Sequence, residues 1–211
     1  MSISSAILGF AVVAGLITIV PGLDTAMVLR STISHGRRHG FATAIGVSTG
    51  ALIWGAGAAV GVSALLVAST VAYTCVRVAG AAYMIWLGLR LLARASHGAK
   101  EAPEFDSPPT GQSIVGSWRR GLITNLLNPK IGAFYIAVLP QFIPPHVSHL
   151  AFGLLLALVH DLEASVWFTT IILGVHAVRS LLRRRDTQRA VDGATGLALL
   201  GFGIKLGLAS K

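Results

Sequence analysis

Pro21-Gly22 and Asn128-Pro129-Lys130 hold the residues best placed to do chemistry. Each group interrupts an apolar run at a comparable place in its half of the chain. Proline removes a backbone donor and clashes with the preceding turn. It also suits the first turn of a new helix. Asn128 followed by Pro129 therefore reads as a helix N-cap followed by the first helical position. Asp24 reads as the cap of a helix resuming after Pro21-Gly22. Each half then presents free N–H groups and a partial positive charge inside the protein, and a carboxylate is the natural guest. The alternative is a plain kink satisfied by neighbouring helices. Two breaks in related positions favour a binding site.

Four charges fall within apolar segments: Asp24, Lys130, Asp161 and Glu163. A charge at the centre of a membrane helix costs roughly 2.5–3.5 kcal/mol on insertion scales, so pairing is expected. Asp24 and Lys130 are plausible partners. A structural ion pair and direct substrate contact both stay open, and Lys130 also has the length to snorkel to the interface. Asp161 and Glu163 are two residues apart and cannot share one helix face. One of them at most lines a cavity, and either could take up a proton during a transport cycle. His160 beside Asp161 raises a metal or relay reading, but the spacing matches no metal motif, and no metal site is assigned. No Ser-His-Asp set, phosphate loop or nucleotide fingerprint is present. The expectation is therefore no enzyme and no cofactor, with transport drawing on an ion or substrate gradient.

The elements that must position these residues follow from composition. The chain has 211 residues, 54% hydrophobic and 12% charged, with mean hydropathy +0.72. A soluble domain carries about 25% charged residues, so lipid is the expected surrounding. At about 20 residues per helix, six spans fit. The net charge of +9 could suggest nucleic acid, but its distribution does not. Basic residues cluster in alternate loops: Arg30, Arg37 and Arg38; then Arg90, Arg94, Lys100, Arg119 and Arg120; then Arg179, Arg183, Arg184, Arg185 and Arg189. The loops near Ser63–Thr70 and Gln141–His149 carry neither Lys nor Arg. This is the positive-inside pattern, with odd loops cytoplasmic and both termini outside. Contact with anionic membrane lipid explains the clusters, and no nucleic-acid partner is expected. Cys75 is the single cysteine, so no intramolecular disulfide forms. The N-terminal apolar run reads as the first span and not as a signal peptide.

The expected spans are Ile3–Leu29, Gly40–Val62, Val71–Leu92, Gly116–Leu139, Leu150–Val178 and Ala190–Leu208. A polar linker with Pro103, Pro108 and Pro109 divides the chain. The division gives an N-terminal three-helix repeat (1–94), a cytoplasmic linker (95–113) and a C-terminal three-helix repeat (114–211). Gly15-Leu16-Ile17-Thr18 before the first break matches Gly121-Leu122-Ile123-Thr124 before the second. Gly80-Ala81 with Gly88 matches Gly193-Ala194 with Gly201 at the same spacing. Three spans per half make the repeats inverted. Gly46, Gly50, Gly57 and Gly61 form a small-residue stripe assigned to helix packing. Trp86 and Trp118 suit interfacial anchoring, whereas Trp54 and Trp167 lie deeper and read as core.

Three stretches carry a family resemblance. They are Pro21-Gly22-Leu23-Asp24; Gly36-Arg37-Arg38-His39-Gly40 with Ala44, Gly46 and Gly50; and Gly121 through Asn128-Pro129-Lys130, followed by Leu139-Pro140-Gln141-Phe142. In these the chain resembles the LysE/RhtB amino-acid exporters over nearly its whole length. That family typically reads Pro-Gly-Pro-Asp, whereas Leu23 replaces the second proline here. The resemblance implies export of small amino acids or derivatives across a bacterial inner membrane, coupled to protons. The substrates it implies are neutral ones such as threonine, homoserine and its lactone, or basic amino acids.

The fold expected is an all-α polytopic membrane protein with six spans in two inverted repeats, broken in spans one and four. A small zwitterion sits between those spans, lined by Pro21, Gly22, Asp24, Asn128, Pro129 and Lys130. Its carboxylate meets the helix ends with Lys130 assisting, and its ammonium meets Asp24, Asp161 or Glu163. A homo-oligomer stays an open alternative. The main rival is a divalent-cation exporter, which needs several converging ligands. A thiol-electron carrier needs paired cysteines, and a membrane scaffold would not transport.

Overall fold

A computed structural model describes residues 2–68, 70–97, 113–175 and 185–208, all of them helical or connecting, with no strand among them. Most of the expected linker, residues 98–112, lies outside these residues. So does the segment 176–184, with Arg179, Arg183 and Arg184.

The first helix, α1 (Ile3–Ile19), carries no charged residue, and the Ser2 side chain caps it by accepting from Ser5 N at 3.2 Å. It stops because Pro21 has no N–H to offer Ile17 O. Val20 and Gly22 are extended, and α2 (Leu23–His35) resumes at an angle of 53°. The end of α2 is set by Gly36, whose φ of 86° is open to glycine and costly for other residues. Its N–H donates to Thr32 O at 3.0 Å. The next helix, α3 (Arg37–Ala68), follows at once, and α4 (Thr70–His97) almost as directly. The expected loop near Ser63–Thr70 is thus helical through Ala68. Small and apolar residues there contain no breaker except Gly61.

The second broken pair is α5 (Ile114–Leu126) and α6 (Pro129–Ala137), extended by a 3₁₀ turn at Leu139–Phe142 and bent by 56°. Helix α7 (His149–Leu173) is capped by Ser148 and closed by Gly174. The last described helix, α8, spans Arg185–Leu208. By length and composition α3 and α7 can each cross a membrane, and so can each bent pair taken as one span.

Helix α3 lies at the centre, packed on α2, α5, α6 and α7, while α4 packs chiefly along α8. Two cores form. One joins Phe10, Ala14 and Ile17 of α1 to Phe134 and Tyr135 of α6, Val138 just after it, and Leu156 of α7. The other joins Val28 and Leu29 of α2 to Val47 of α3 and Phe168 and Ile171 of α7. Leu8, Val12, Ile45, Leu158 and Val166 face outward, as they would toward lipid.

Glycine sets the closeness of several seams. A Cβ at Gly46 would collide with the Trp118 carbonyl, and one at Gly121 with the Thr43 carbonyl, so α3 and α5 touch backbone to backbone. A Cβ at Gly50 would lie 2.6 Å from Asn125 Oδ1. The other half of the expected stripe differs: no described atom lies near a Cβ at Gly57 or Gly61. Gly55 takes their place, against Ala157. Likewise Gly201 of α8 faces no described neighbour, whereas a Cβ at Gly88 or at Gly196 would lie 2.8 Å from the other's carbonyl oxygen. Helix periodicity gives the spacing of a small-residue face, but the partner helix decides which glycines it covers.

Gly46→Leu is therefore expected to lower the melting temperature in detergent, with a loss of about 1–3 kcal/mol from overpacking. Gly57→Leu is expected to leave it unchanged. Equal effects of the two substitutions would contradict this seam.

Candidate functional site

The two breaks meet. Where α1 ends, Ile17 and Val20 have carbonyls without helical donors, and Lys130 Nζ donates to each at 3.2 Å. Lys130 occupies the first turn of α6, where a cation opposes the helix dipole. Its ammonium crosses to the C-terminal end of α1, where a cation is favoured. Gly22 leaves the room for this, because a Cβ there would lie 3.0 Å from Nζ.

Asn128 begins α6 as expected: its Oδ1 accepts from Lys130 N at 3.1 Å, and Pro129 follows at the first helical position. Asp24 differs from expectation. The N-cap of α2 is Gly22, with no side-chain cap bond, and Asp24 sits within the first turn. Its Oδ2 accepts from Asn125 Nδ2 at 3.0 Å, a bond joining α2 to α5 across 101 positions. The carboxylate turns away from its own helix because Asn125 offers a buried donor. Asp24 and Lys130 are close enough for their charges to interact. Their direct hydrogen bonds nevertheless go elsewhere, to Asn125 and to the carbonyls of α1.

Asp24, Asn125 and Asn128 are 7%, 1% and 3% exposed, so their polar atoms depend on protein or ligand partners. Asp24 Oδ1, Asn125 Oδ1 and Asn128 Nδ2 have no hydrogen-bond partner. Asn125 Oδ1 is pressed against Gly50. Asn128 Nδ2 and Asp24 Oδ1 belong to neighbouring side chains that stand short of hydrogen-bond geometry. Side by side, one buried acceptor and one buried donor interact without reaching a full hydrogen bond beside the breaks.

The residues of α7 fall into separate surroundings. Asp161 is buried, with its carboxyl beside Ser48 of α3. His160 Nδ1 and Tyr135 Oη share a buried hydrogen bond of 2.9 Å, with the Phe134 ring edge-on to the imidazole. Glu163 is half-buried against Gly15 of α1, and its Oε2 has no partner. Among the described residues, no group of three or more His, Cys, Asp and Glu side chains comes together as a metal site would. Of the tryptophans, Trp54 donates to Asn125 O at 3.4 Å, and Trp118 donates to Thr49 Oγ1 at 3.2 Å. Trp86 is exposed and carries the Arg90 guanidinium over its ring at 5.3 Å.

Two participants escaped the sequence reading of the site, Asn125 and Tyr135. An amide at membrane depth, three residues before Asn128, was the available signal for the first. Tyrosine is common in membrane helices, and nothing in its sequence position marks the second.

The profile described as LysE type translocator matches residues 7–210. The chain is 29% identical over 207 residues to the uncharacterized membrane protein YrhP of Bacillus subtilis (strain 168), covering 96% of this chain and 98% of the relative. It is 30% identical over 190 residues to a threonine efflux protein of Escherichia coli (strain K12), covering 88% and 89%. It is also 30% identical over 192 residues to a leucine efflux protein of Enterobacter sp. (strain 638), covering 90% and 89%. No solved structure gives a significant match.

A double-mutant cycle on Asp24→Ala and Asn125→Ala checks the bond between α2 and α5. Its expected coupling in unfolding free energy is about 1–3 kcal/mol. Additive losses would show that the pair contributes nothing.

Proposed function

From the chain's membership of the LysE type translocator family, we propose that it exports a small neutral amino acid or a close derivative across the bacterial inner membrane. Relatives named for threonine and leucine efflux support that substrate class. The observation that carries the site is the pair of unanswered atoms at the meeting of the breaks, Asp24 Oδ1 and Asn128 Nδ2. One accepts and the other donates, which is the complement of a zwitterion. The substrate ammonium turns toward Asp24. Its carboxylate turns toward Asn128 and the amide end of α6 at Pro129, with Pro21-Gly22 forming the opposite wall.

In this reading α4 and α8 supply the remaining two of six spans. The halves 1–94 and 114–211 are inverted repeats, and both termini lie outside. Rocking of one helix set against the other exposes the site to each side in turn. Protons supply the driving force, with Asp161 or Glu163 as the carrier. Glu163 is favoured because its Oε2 is buried without a partner and no side chain lies between it and Gly15 of α1.

The test is efflux of labelled L-threonine and L-leucine from intact bacteria. Asp24→Asn and Asn128→Ala, at expression equal to the parent, are expected to slow efflux by about tenfold or more. Unimpaired efflux by both variants would remove this site from the mechanism. For Glu163→Gln, efflux that no longer responds to an imposed pH gradient is expected. An unchanged response would exclude Glu163 as the proton carrier.

A further inference from the structure

We infer that Lys130 is a positioning residue and not a substrate ligand: its ammonium ties the broken end of α1 to the start of α6, and thereby fixes how Asp24 and Asn128 face each other. The inference rests on the reading of that junction as the substrate site.

A lysine ammonium has three donors, and here two are spent on Ile17 O and Val20 O at 3.2 Å each. At most one donor is left for a substrate carboxylate, and turning the ammonium further toward it would strip two carbonyls that have no helical donors of their own. Pro21 lacks the N–H that would answer Ile17, and the extended backbone at Gly22 leads the chain away from Val20. Unanswered carbonyls are costly at membrane depth, so the contact is not readily given up.

The position of Lys130 in its own helix points the same way. In the first turn of α6 a cation is disfavoured, while at the C-terminal end of α1 it is favoured. The side chain gains from its charge only by spanning the gap. Gly22 completes the fit, since a Cβ there would lie 3.0 Å from Nζ and 3.4 Å from Cε. The ammonium thus occupies a space shaped by α1, the break and α6 together. Asp24 follows the break by two residues, and Asn128 precedes Lys130 by two. A tie between these segments sets the spacing of both.

Spin labels at Leu16 and Ile136, in a Cys75→Ser background, report the placement of α1 against α6 without any ligand. Both positions are exposed. In lipid nanodiscs the parent should give a narrow distance distribution. Lys130→Met and Gly22→Ala should both widen or shift it, the second with the charge intact. Lys130→Arg keeps the charge but puts a larger guanidinium where a single Cβ at Gly22 would already crowd, so it should shift the distribution as Gly22→Ala does. Unchanged distributions in Lys130→Met and Gly22→Ala would overturn the inference.

Binding supplies the second arm. L-threonine and L-threonine amide, which lacks the carboxylate, are the probes. A positioning role weakens both in Lys130→Met by a similar factor, about tenfold, because a misplaced Asp24 loses its bond to the ammonium that both probes carry. Weakening of L-threonine alone would identify a direct carboxylate ligand and overturn the inference. If the parent bound neither probe, the functional reading would fail, and the spin-label distances would still decide the role of Lys130.

Discussion

Backbone groups freed by a broken helix inside lipid must be answered by the protein, because no water is there to answer them. This chain breaks two helices. At the first break Lys130 supplies the missing donors to Ile17 and Val20. At the second, Asn128 accepts from the first turn of α6, and Pro129 removes a donor that would otherwise need a partner. The remedy for α1 comes from the start of α6, so the first break cannot be satisfied without the second. Much of the packing serves that meeting. Gly46 and Gly121 let α3 and α5 approach backbone to backbone, which brings Asn125 within reach of Asp24.

A helical bundle held only for stability would gain by pairing Asp24 Oδ1 and Asn128 Nδ2, since each unanswered buried group costs about 1–3 kcal/mol. Both fall short of a full hydrogen bond at the junction, although the two side chains interact. A ligand with one ammonium and one carboxylate would answer both. The chemistry of these two atoms and the family point to one substrate class, a small amino acid.

The breaks were legible in the sequence because proline beside glycine, and asparagine beside proline, leave backbone or amide groups that must find partners at membrane depth. The end of α2, expected at Leu29, lies at His35, whereas the start of α6 at Asn128 was legible for the same local reason. What depended on tertiary placement was not. Asp24 looked like a cap for its own helix, and only the arrival of Asn125 from 101 positions away turned it outward. Lys130 looked like a partner for Asp24 or for a substrate. Its direction follows from where α1 ends in space, which no local spacing encodes. The glycine stripe divided likewise: Gly46 and Gly50 meet α5, while Gly57 and Gly61 face no described neighbour. Asn125 was readable in principle, as a buried amide that had to find a partner.

The most direct measurement is an experimental structure of the protein in lipid with L-threonine bound. The account requires the amino acid to lie between Asp24 and Asn128, ammonium toward the carboxylate, with Lys130 still on the carbonyls of Ile17 and Val20. An amino acid bound elsewhere, with Asp24 and Asn128 closed on each other, would contradict it.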